Sequence, residues 1–430
     1  MPSANQAHAQ DDAVRADVAA RYCRVRAASE ALCRPLEIED YGLQTMPDVS
    51  PAKWHIAHTS WFFETFLLLP FAGAYRVHDP AFDHLFNSYY LTHGQPFLRP
   101  QRGVLSRPTV AEVYDYRQVV DDAMITLIGA ADGAEWTRIE PLIQLGLNHE
   151  QQHQELLLTD LKHAFFANPL RPAYRQDLPV PPVRAPVPGG WQAWDGGLHE
   201  IGAAGPDFAY DNERPRHRCW LEDFALAEHP VSNAEYLAFI EDGGYREPQW
   251  WLSEGWATVQ SQAWEAPLYW ERRDGAWWQF TLAGMRPLDL AAPVTHVSFY
   301  EADAFAAWAG RRLPLETEWE RVAVSTARGT DANLRDTGWL QPVAGPAGQG
   351  MRQLFGDVWE WTASAYTAYP GFQTAEGPVG EYNGKFMSGQ MVLRGGSCVT
   401  PADHIRASYR NFFYPHDRWQ FSGIRLAEDR

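Results

Sequence analysis

Over the first 168 residues apolar positions recur three and four apart in long stretches, the period of amphipathic helices. Residues 11–36 (DDAVRADVAARYCRVRAASEALCRPL), rich in Ala, Arg and Glu at that spacing, predict a first helix. A second is expected from Ser50-Pro51, where Ser suits the N-cap and Pro the first helical position, through KWHIAHTSWFFETFLLL. Thr109 and Glu112, just after Arg107-Pro108, are spaced as a capping box heading a third helix over VYDYRQVVDDAMITLIGA. The fourth is expected over roughly 140–166 and contains PLIQLGLNHEQQHQELLLTDLKHAFF. Four helices of this length predict a bundle over 1–168. Seven prolines between 169 and 188 then predict a stiff, polyproline-like linker. Over 189–430 the pattern changes to short apolar runs punctuated by Gly, Pro and Asn, with helices expected at 233–241 and 300–310 and otherwise long turns. The fold class is therefore α+β, a helical bundle followed by an irregular domain.

Composition narrows the function. With 36 Lys+Arg against 54 Asp+Glu the net charge is -18, which disfavours nucleic acid and anionic membranes as partners. Four cysteines (Cys23, Cys33, Cys219, Cys398), with no CxxC pair, make no disulfide framework, so a reducing cytoplasm is expected. The N-terminus has no apolar h-region, and the greasiest stretch, 61–72, is short and carries Glu64 and Pro70, so neither a signal peptide nor a transmembrane helix is expected. The 15 histidines and 19 tryptophans are left to explain.

His149 and His153 are four apart on the fourth helix and project from one face, as two ligands of one metal must. Leu142, Leu145, His149, His153, Leu156 and Asp160 form the inward stripe of that helix, and Trp54, His58, Trp61 and Thr65 form a comparable stripe on the second. Buried imidazoles are costly unless satisfied, and one metal would satisfy His58, His149 and His153 together in a facial site. The other reading is a solvated or hydrogen-bonded His149/His153 pair with His58 an ordinary core residue. His55, His78, His84, His93 and His163 are read as ordinary surface or satisfied histidines. Between the second and third helices, FNSYYLTHGQPFLRPQRGVLSRP places Tyr89, Tyr90, Arg99, Arg102 and Arg107 in an otherwise acidic chain. Arginines there either grip a carboxylate or phosphate, or neutralise acids and pack on aromatics.

SPAKWHIAHTSWFFE, FNSYY, RPQRGVLSRPT and NHEQQHQELLLTD resemble the DinB-like four-helix domain of the ergothioneine-biosynthesis sulfoxide synthases. DNERPRHRCWLEDFALAEHPVSNAEYLAFIEDGGY, PVTHVSFYEADAFAAWAGRRLPLETEWE, GDVWEWTAS, LRGGSC and FSGIRLA are similar to their formylglycine-generating-enzyme domain, a C-type-lectin-like fold. The motifs cover nearly the whole chain in the family's order. The resemblance implies a non-haem Fe(2+) enzyme that uses O2 to join a sulfur donor to C2 of the imidazole of hercynine. It implies His58, His149 and His153 as iron ligands, Tyr89 and Tyr90 near the iron, and Gln152 orienting hercynine. Arg99 and Arg102 are expected to hold substrate. Asn411, Phe412 and Phe413 fall at substrate-facing positions of the second domain, which is expected to complete the pocket, and an aromatic wall there would suit a trimethylammonium.

Departures from the family pattern bear on the donor. Phe413 and Asp417 stand where the gamma-glutamylcysteine branch has an acid and an arginine, and Phe97-Leu98 where the cysteine branch has His-Pro. The related selenoneine synthases couple a selenosugar, and this altered pocket suits such a donor at least as well as a thiol. Formylglycine generation is disfavoured, because Cys398 stands alone in LRGGSC. Two other classes remain: a zinc-dependent DinB-like thiol transferase, and a non-enzymatic lectin-like binding protein. The expected partners are small molecules (hercynine, a thiol or selenosugar, and O2).

Overall fold

Helix α1 covers Ala4–Cys33 and stops two residues before Pro35, because proline has no N–H to donate and bars the residue ahead of it from the α conformation. In this computed structural model the described residues are 4–91, 93–182, 184–186, 189–326, 332–346, 348, 350–377, 380 and 383–430. Val183, Val187 and Pro188 of the expected linker lie outside them. Backbone packing separates two units, Met1–Ala167 with Glu376–Glu381, and Asn168–Ala375 with Tyr382–Arg430.

In the first unit, α2 (Ala52–Phe63) has Pro51 as its N-cap with no side-chain cap, correcting the expected Ser50 cap. Ser50 is engaged elsewhere: its hydroxyl accepts from Arg102 at 2.8 Å, and its N–H donates to Asp160 Oδ2 at 2.8 Å. α2 runs on through a π turn at Glu64–Leu68 into α3 (Leu69–Phe71). After α4 (Ala81–Phe86), α5 (Val110–Ala130) opens on the expected capping box, with Thr109 N–H donating to Glu112 at 2.7 Å and Glu112 N–H to Thr109 at 3.2 Å. α6 (Gly133–Ala167) starts seven residues ahead of its expected beginning, with Pro141 inside it. Asp132 sets that start, since its Oδ1 accepts from the N–H groups of Ala134 and Glu135 at 2.9 Å each.

α2 packs against α5 and α6, and α1 packs against the same two helices. Trp61, Phe62, Phe63, Tyr116, Met124, Ile143 and Leu158 are fully buried between them. Gly146 permits the closest approach: a Cβ there would meet Phe63 at 2.7 Å and Phe62 at 2.8 Å. Beside this apolar core lies a closed polar cluster in which Glu150 accepts from Arg26 at 2.9 Å, Arg117 at 2.6 Å and Ser29 at 2.6 Å.

The second unit is made of short strands and long connections. β1 (Trp191–Trp194), β4 (Phe224–Ala227) and β12 (Ala427–Asp429) form one sheet in the order β1-β4-β12. β2 (Gly197–Ile201) pairs with β3 (His217–Leu221), and β5 (Trp270–Arg273), β6 (Ala276–Thr281) and β7 (Gly284–Pro287) make a meander. The fourth sheet joins β8 (Trp359–Ala365), β9 (Met391–Arg394), β10 (Asn411–Phe413) and β11 (Ser422–Gly423) in the order β10-β9-β8-β11. α7 (Asn233–Glu241) and α9 (Phe299–Trp308) match the expected helices, while α8 (Ser253–Gln262) and α10 (Glu316–Ser325) were not anticipated. The buried side of α10 carries Glu316, Glu318 and Glu320, paired with Arg394, Arg410 and Arg312, beside the short apolar set of Trp319, Val322 and Ala323. Trp319 and Trp361 are core residues whose indole N–H groups donate to Glu360 at 2.7 Å and Val297 O at 2.9 Å. Among the described residues no helix is long and apolar enough to cross a membrane.

Candidate metal centre

Helical spacing on α2 and α6 brings His58, His149 and His153 together, with one nitrogen of each within 4.8 Å of the others. His58 stands between two indoles, stacked on Trp54 at 4.5 Å and 12° and on Trp61 at 5.6 Å and 16°. Its Nδ1 lies 2.5 Å from Phe86 O. A carbonyl only accepts, so Nδ1 carries the hydrogen and the Nε2 lone pair faces His149 Nε2, 3.1 Å away. His58 and His149 are fully buried and His153 is half-buried.

The electrostatics favour a cation over protons. Burial, and then the neighbouring His149, hold the His58 pKa well below its ordinary value, and burial pushes His149 down to about 3. His153 is lowered by burial and by His149 and His58. Desolvation disfavours the imidazolium form, so what joins these nitrogens is the N–H of a neutral ring or a cation bound by their lone pairs. Three neutral imidazoles fit a divalent transition metal (iron, zinc, nickel or copper) in preference to magnesium or calcium.

His55, expected to be an ordinary surface or satisfied histidine, is of the satisfied kind and lies against the triad. It is buried, with Nδ1 2.8 Å from His153 Nδ1 and Nε2 3.0 Å from Asp160 Oδ2. The available signal was Asp160, which already stood on the inward stripe of α6. The remaining four are peripheral: His84 Nδ1 meets Gln95 O at 2.6 Å, His163 Nδ1 meets Thr45 Oγ1 at 2.6 Å, His78 packs on Tyr116, and His93 is exposed beside Phe66.

Tyr90 is buried with its ring 5.6 Å from Trp61, one ring removed from His58, and Tyr89 is half-buried 4.7 Å from Tyr90. Gln152 is half-buried on α6, one residue before His153. The arginines divide. Arg99 and Arg107 are exposed and donate to backbone carbonyls of Asp48 and Ser106. Arg102 is 3% exposed, lies 3.3 Å from the Trp54 ring centroid, and donates to the hydroxyls of Ser50 and Ser88. Among the described residues it meets no carboxylate, and its buried Nε has no hydrogen-bond partner. Burial and Arg99 lower its pKa. Among the described residues its hydrogen-bond partners are thus hydroxyls, and Asp160 offsets the lowering from a distance.

In the second unit, Phe412 stacks on Tyr366 at 4.0 Å and 10°, and Phe413 lies 6.0 Å from Trp419. Asn411, Phe412 and Phe413 are half-buried on β10, and Asp417 accepts from Tyr414 N–H at 3.0 Å. The arginines flanking this stretch are closed by their own acids, Arg410 by Glu316 at 2.9 Å and Arg418 by Glu301 at 3.0 Å.

Residues 192–430 match the sulfatase-modifying factor enzyme 1-like domain, and residues 21–157 match the DinB superfamily. The chain is 34% identical over 438 residues to a protein of Mycolicibacterium smegmatis named hercynine oxygenase, covering 94% of this chain and 97% of that one. It is 32% identical over 436 residues to the Mycobacterium tuberculosis protein of the same name, covering 95% and 98%. Ergothioneine biosynthesis protein 1 of Schizosaccharomyces pombe is 30% identical over 234 residues, which span 52% of this chain and 28% of that protein.

Proposed function

The chain belongs to the sulfoxide synthase family of ergothioneine biosynthesis, and from that premise we propose that it forms a carbon-selenium or carbon-sulfur bond at C2 of the hercynine imidazole. The observation that carries the reading is the convergence of three neutral imidazole nitrogens within 4.8 Å. Iron(II) held by His58, His149 and His153 would supply O2 activation and open positions for substrate.

The chain's own groups set the rest. The indoles of Trp54 and Trp61 keep the His58 ring in one plane, and the Phe86 carbonyl keeps its Nε2 directed inward. Tyr89 and Tyr90 are assigned the proton at a phenolic oxygen during bond formation, and Gln152 the orientation of hercynine. Arg102, buried with hydroxyls as its partners among the described residues, is suited to an anionic donor or carboxylate. Asn411, Phe412 and Phe413 are assigned to substrate from the family resemblance. With Phe413 and Asp417 in place of an acid and an arginine, and with Arg410 and Arg418 already paired, that stretch suits a donor without the carboxylates of gamma-glutamylcysteine. A selenosugar meets that condition, and a thiol in its place is the alternative.

The test is anaerobic reconstitution with iron(II), then O2 and hercynine with a selenosugar, cysteine and gamma-glutamylcysteine in competition, read by product mass. The expected result is hercynine-dependent O2 consumption and a product carrying selenium at C2. Coupling of cysteine alone would fix sulfur as the donor element, and turnover without O2 would favour zinc-dependent thiol transfer. Tyr89→Phe and Tyr90→Phe are expected to shift product from coupled to oxidised donor, and unchanged partitioning would remove the tyrosines from the reaction.

A further inference from the structure

We infer that His55 and Asp160 are positioning residues, which fix His153 in the tautomer whose Nε2 is directed at the metal. The inference rests on the reading of His58, His149 and His153 as ligands. His55 precedes His58 by three residues on α2, and Asp160 follows His153 by seven on α6, so the two helices bring three polar side chains, Asp160, His55 and His153, into one chain of contacts. The chain of contacts is Asp160 Oδ2 to His55 Nε2 at 3.0 Å and His55 Nδ1 to His153 Nδ1 at 2.8 Å.

Its polarity follows from its end. A carboxylate accepts only, and Asp160 Oδ2 already receives the Ser50 N–H at 2.8 Å. His55 Nε2 therefore donates to it, and a ring with one hydrogen then has Nδ1 as its acceptor. His153 Nδ1 must then carry the hydrogen, and its Nε2 lone pair is the one available to a cation. His58 reaches the same tautomer by another device, the Phe86 carbonyl. Metal-bound histidines commonly have their second nitrogen held in this way, and loss of the holder typically lowers metal affinity about 10–100-fold.

Two surroundings bear on the relay. Ser50 joins it to the buried guanidinium, because its hydroxyl accepts from Arg102 at 2.8 Å while its N–H serves Asp160. On the other side, a cavity with room for about one water is lined by Ser29, His55, Thr59, His153 and Gln154. Removal of the His55 imidazole would open this space further to water, which can donate or accept at His153 Nδ1 and so releases the tautomer.

The experiment compares the full chain with His55→Leu, His55→Gln and Asp160→Ala, using cobalt(II) as the probe. The expected result is cobalt(II) affinity about 10–100-fold weaker in His55→Leu and Asp160→Ala, with a changed ligand-field spectrum. His55→Gln, whose amide can accept from His153 and donate to Asp160, is expected to recover most of the affinity. In the metal-free chain, 15N chemical shifts should show His153 protonated at Nδ1 in the wild type and as a tautomer mixture in His55→Leu, with urea unfolding confirming that each variant is folded. Unchanged affinity and tautomer in folded His55→Leu, or a wild-type His153 protonated at Nε2, would overturn the inference. A wild-type chain with the expected tautomer that takes up no cobalt(II) would overturn the metal reading instead.

Discussion

His149 and Glu150 are neighbours on α6, and the two polar clusters they serve are finished in opposite ways. Around Glu150, two arginines and a serine supply donors within 2.9 Å, and although burial pushes the carboxyl up, Arg117 and Arg26 outweigh it and hold it at about 2. Around His149 the facing group is another imidazole nitrogen at 3.1 Å, and among the described residues Arg102 nearby bonds hydroxyls, with Asp160 acting on it only at longer range. The first cluster is complete with protein groups alone. The second gathers three imidazole nitrogens that could hold a metal ion beside a buried guanidinium bonded to hydroxyls, a grouping suited to ligands from solution.

The largest effect is expected at the completed cluster. Glu150→Ala leaves Arg26 and Arg117 buried without their shared acid and should cost about 3–5 kcal/mol in urea unfolding, whereas His149→Ala should abolish metal uptake at a much smaller cost in stability. A second separation is by pH. The metal-free chain should lose stability as pH falls below the ordinary histidine value of 6.5, since the unfolded chain takes up protons that His149, near 3, refuses. The slope is about 1.4 kcal/mol per pH unit for each histidine so excluded. Glu150 contributes a separate loss, confined to the window from 4.5 down to about 2. His149→Leu should reduce the slope of the upper window by one histidine's share, leaving the part due to His58 and His153 and the lower window, as followed by unfolding midpoints across pH.

Gly146→Ala drives a methyl into the rings of Phe62 and Phe63, one turn before His149. It should destabilise by about 1–3 kcal/mol and weaken metal binding by moving α6 off α2; preserved affinity would show that the spacing of these helices tolerates change. The smallest effect is expected at Arg102→Met, which gives up two hydroxyl bonds and a stack but relieves a buried charge. Stability should change by about 1 kcal/mol or less, while KM for the donor rises. A large loss of stability with KM unchanged would make Arg102 part of the scaffold.

What could be read from the sequence follows the same division. The capping box of Thr109 and Glu112 and the four-residue spacing of His149 and His153 are local, and both appear where they were expected. Features set by partners distant in the chain were hidden. Ser50 has the chemistry of an N-cap, yet Arg102 and Asp160 engage it. His55 reads as ordinary until α6 brings Asp160 and His153 to its two nitrogens. α10 buries glutamates where a core helix should show aliphatics, because their arginines lie elsewhere in the chain.

The central claim is that three imidazoles are the incomplete half of a metal site. The most direct measurement is an anaerobic iron(II) titration of the metal-free chain beside His58→Ala, His149→Ala and His153→Ala, each shown to be folded. The account predicts one iron per wild-type chain and none retained by any of the three variants; a wild type that binds no iron, or variants that bind it as the wild type does, would contradict it.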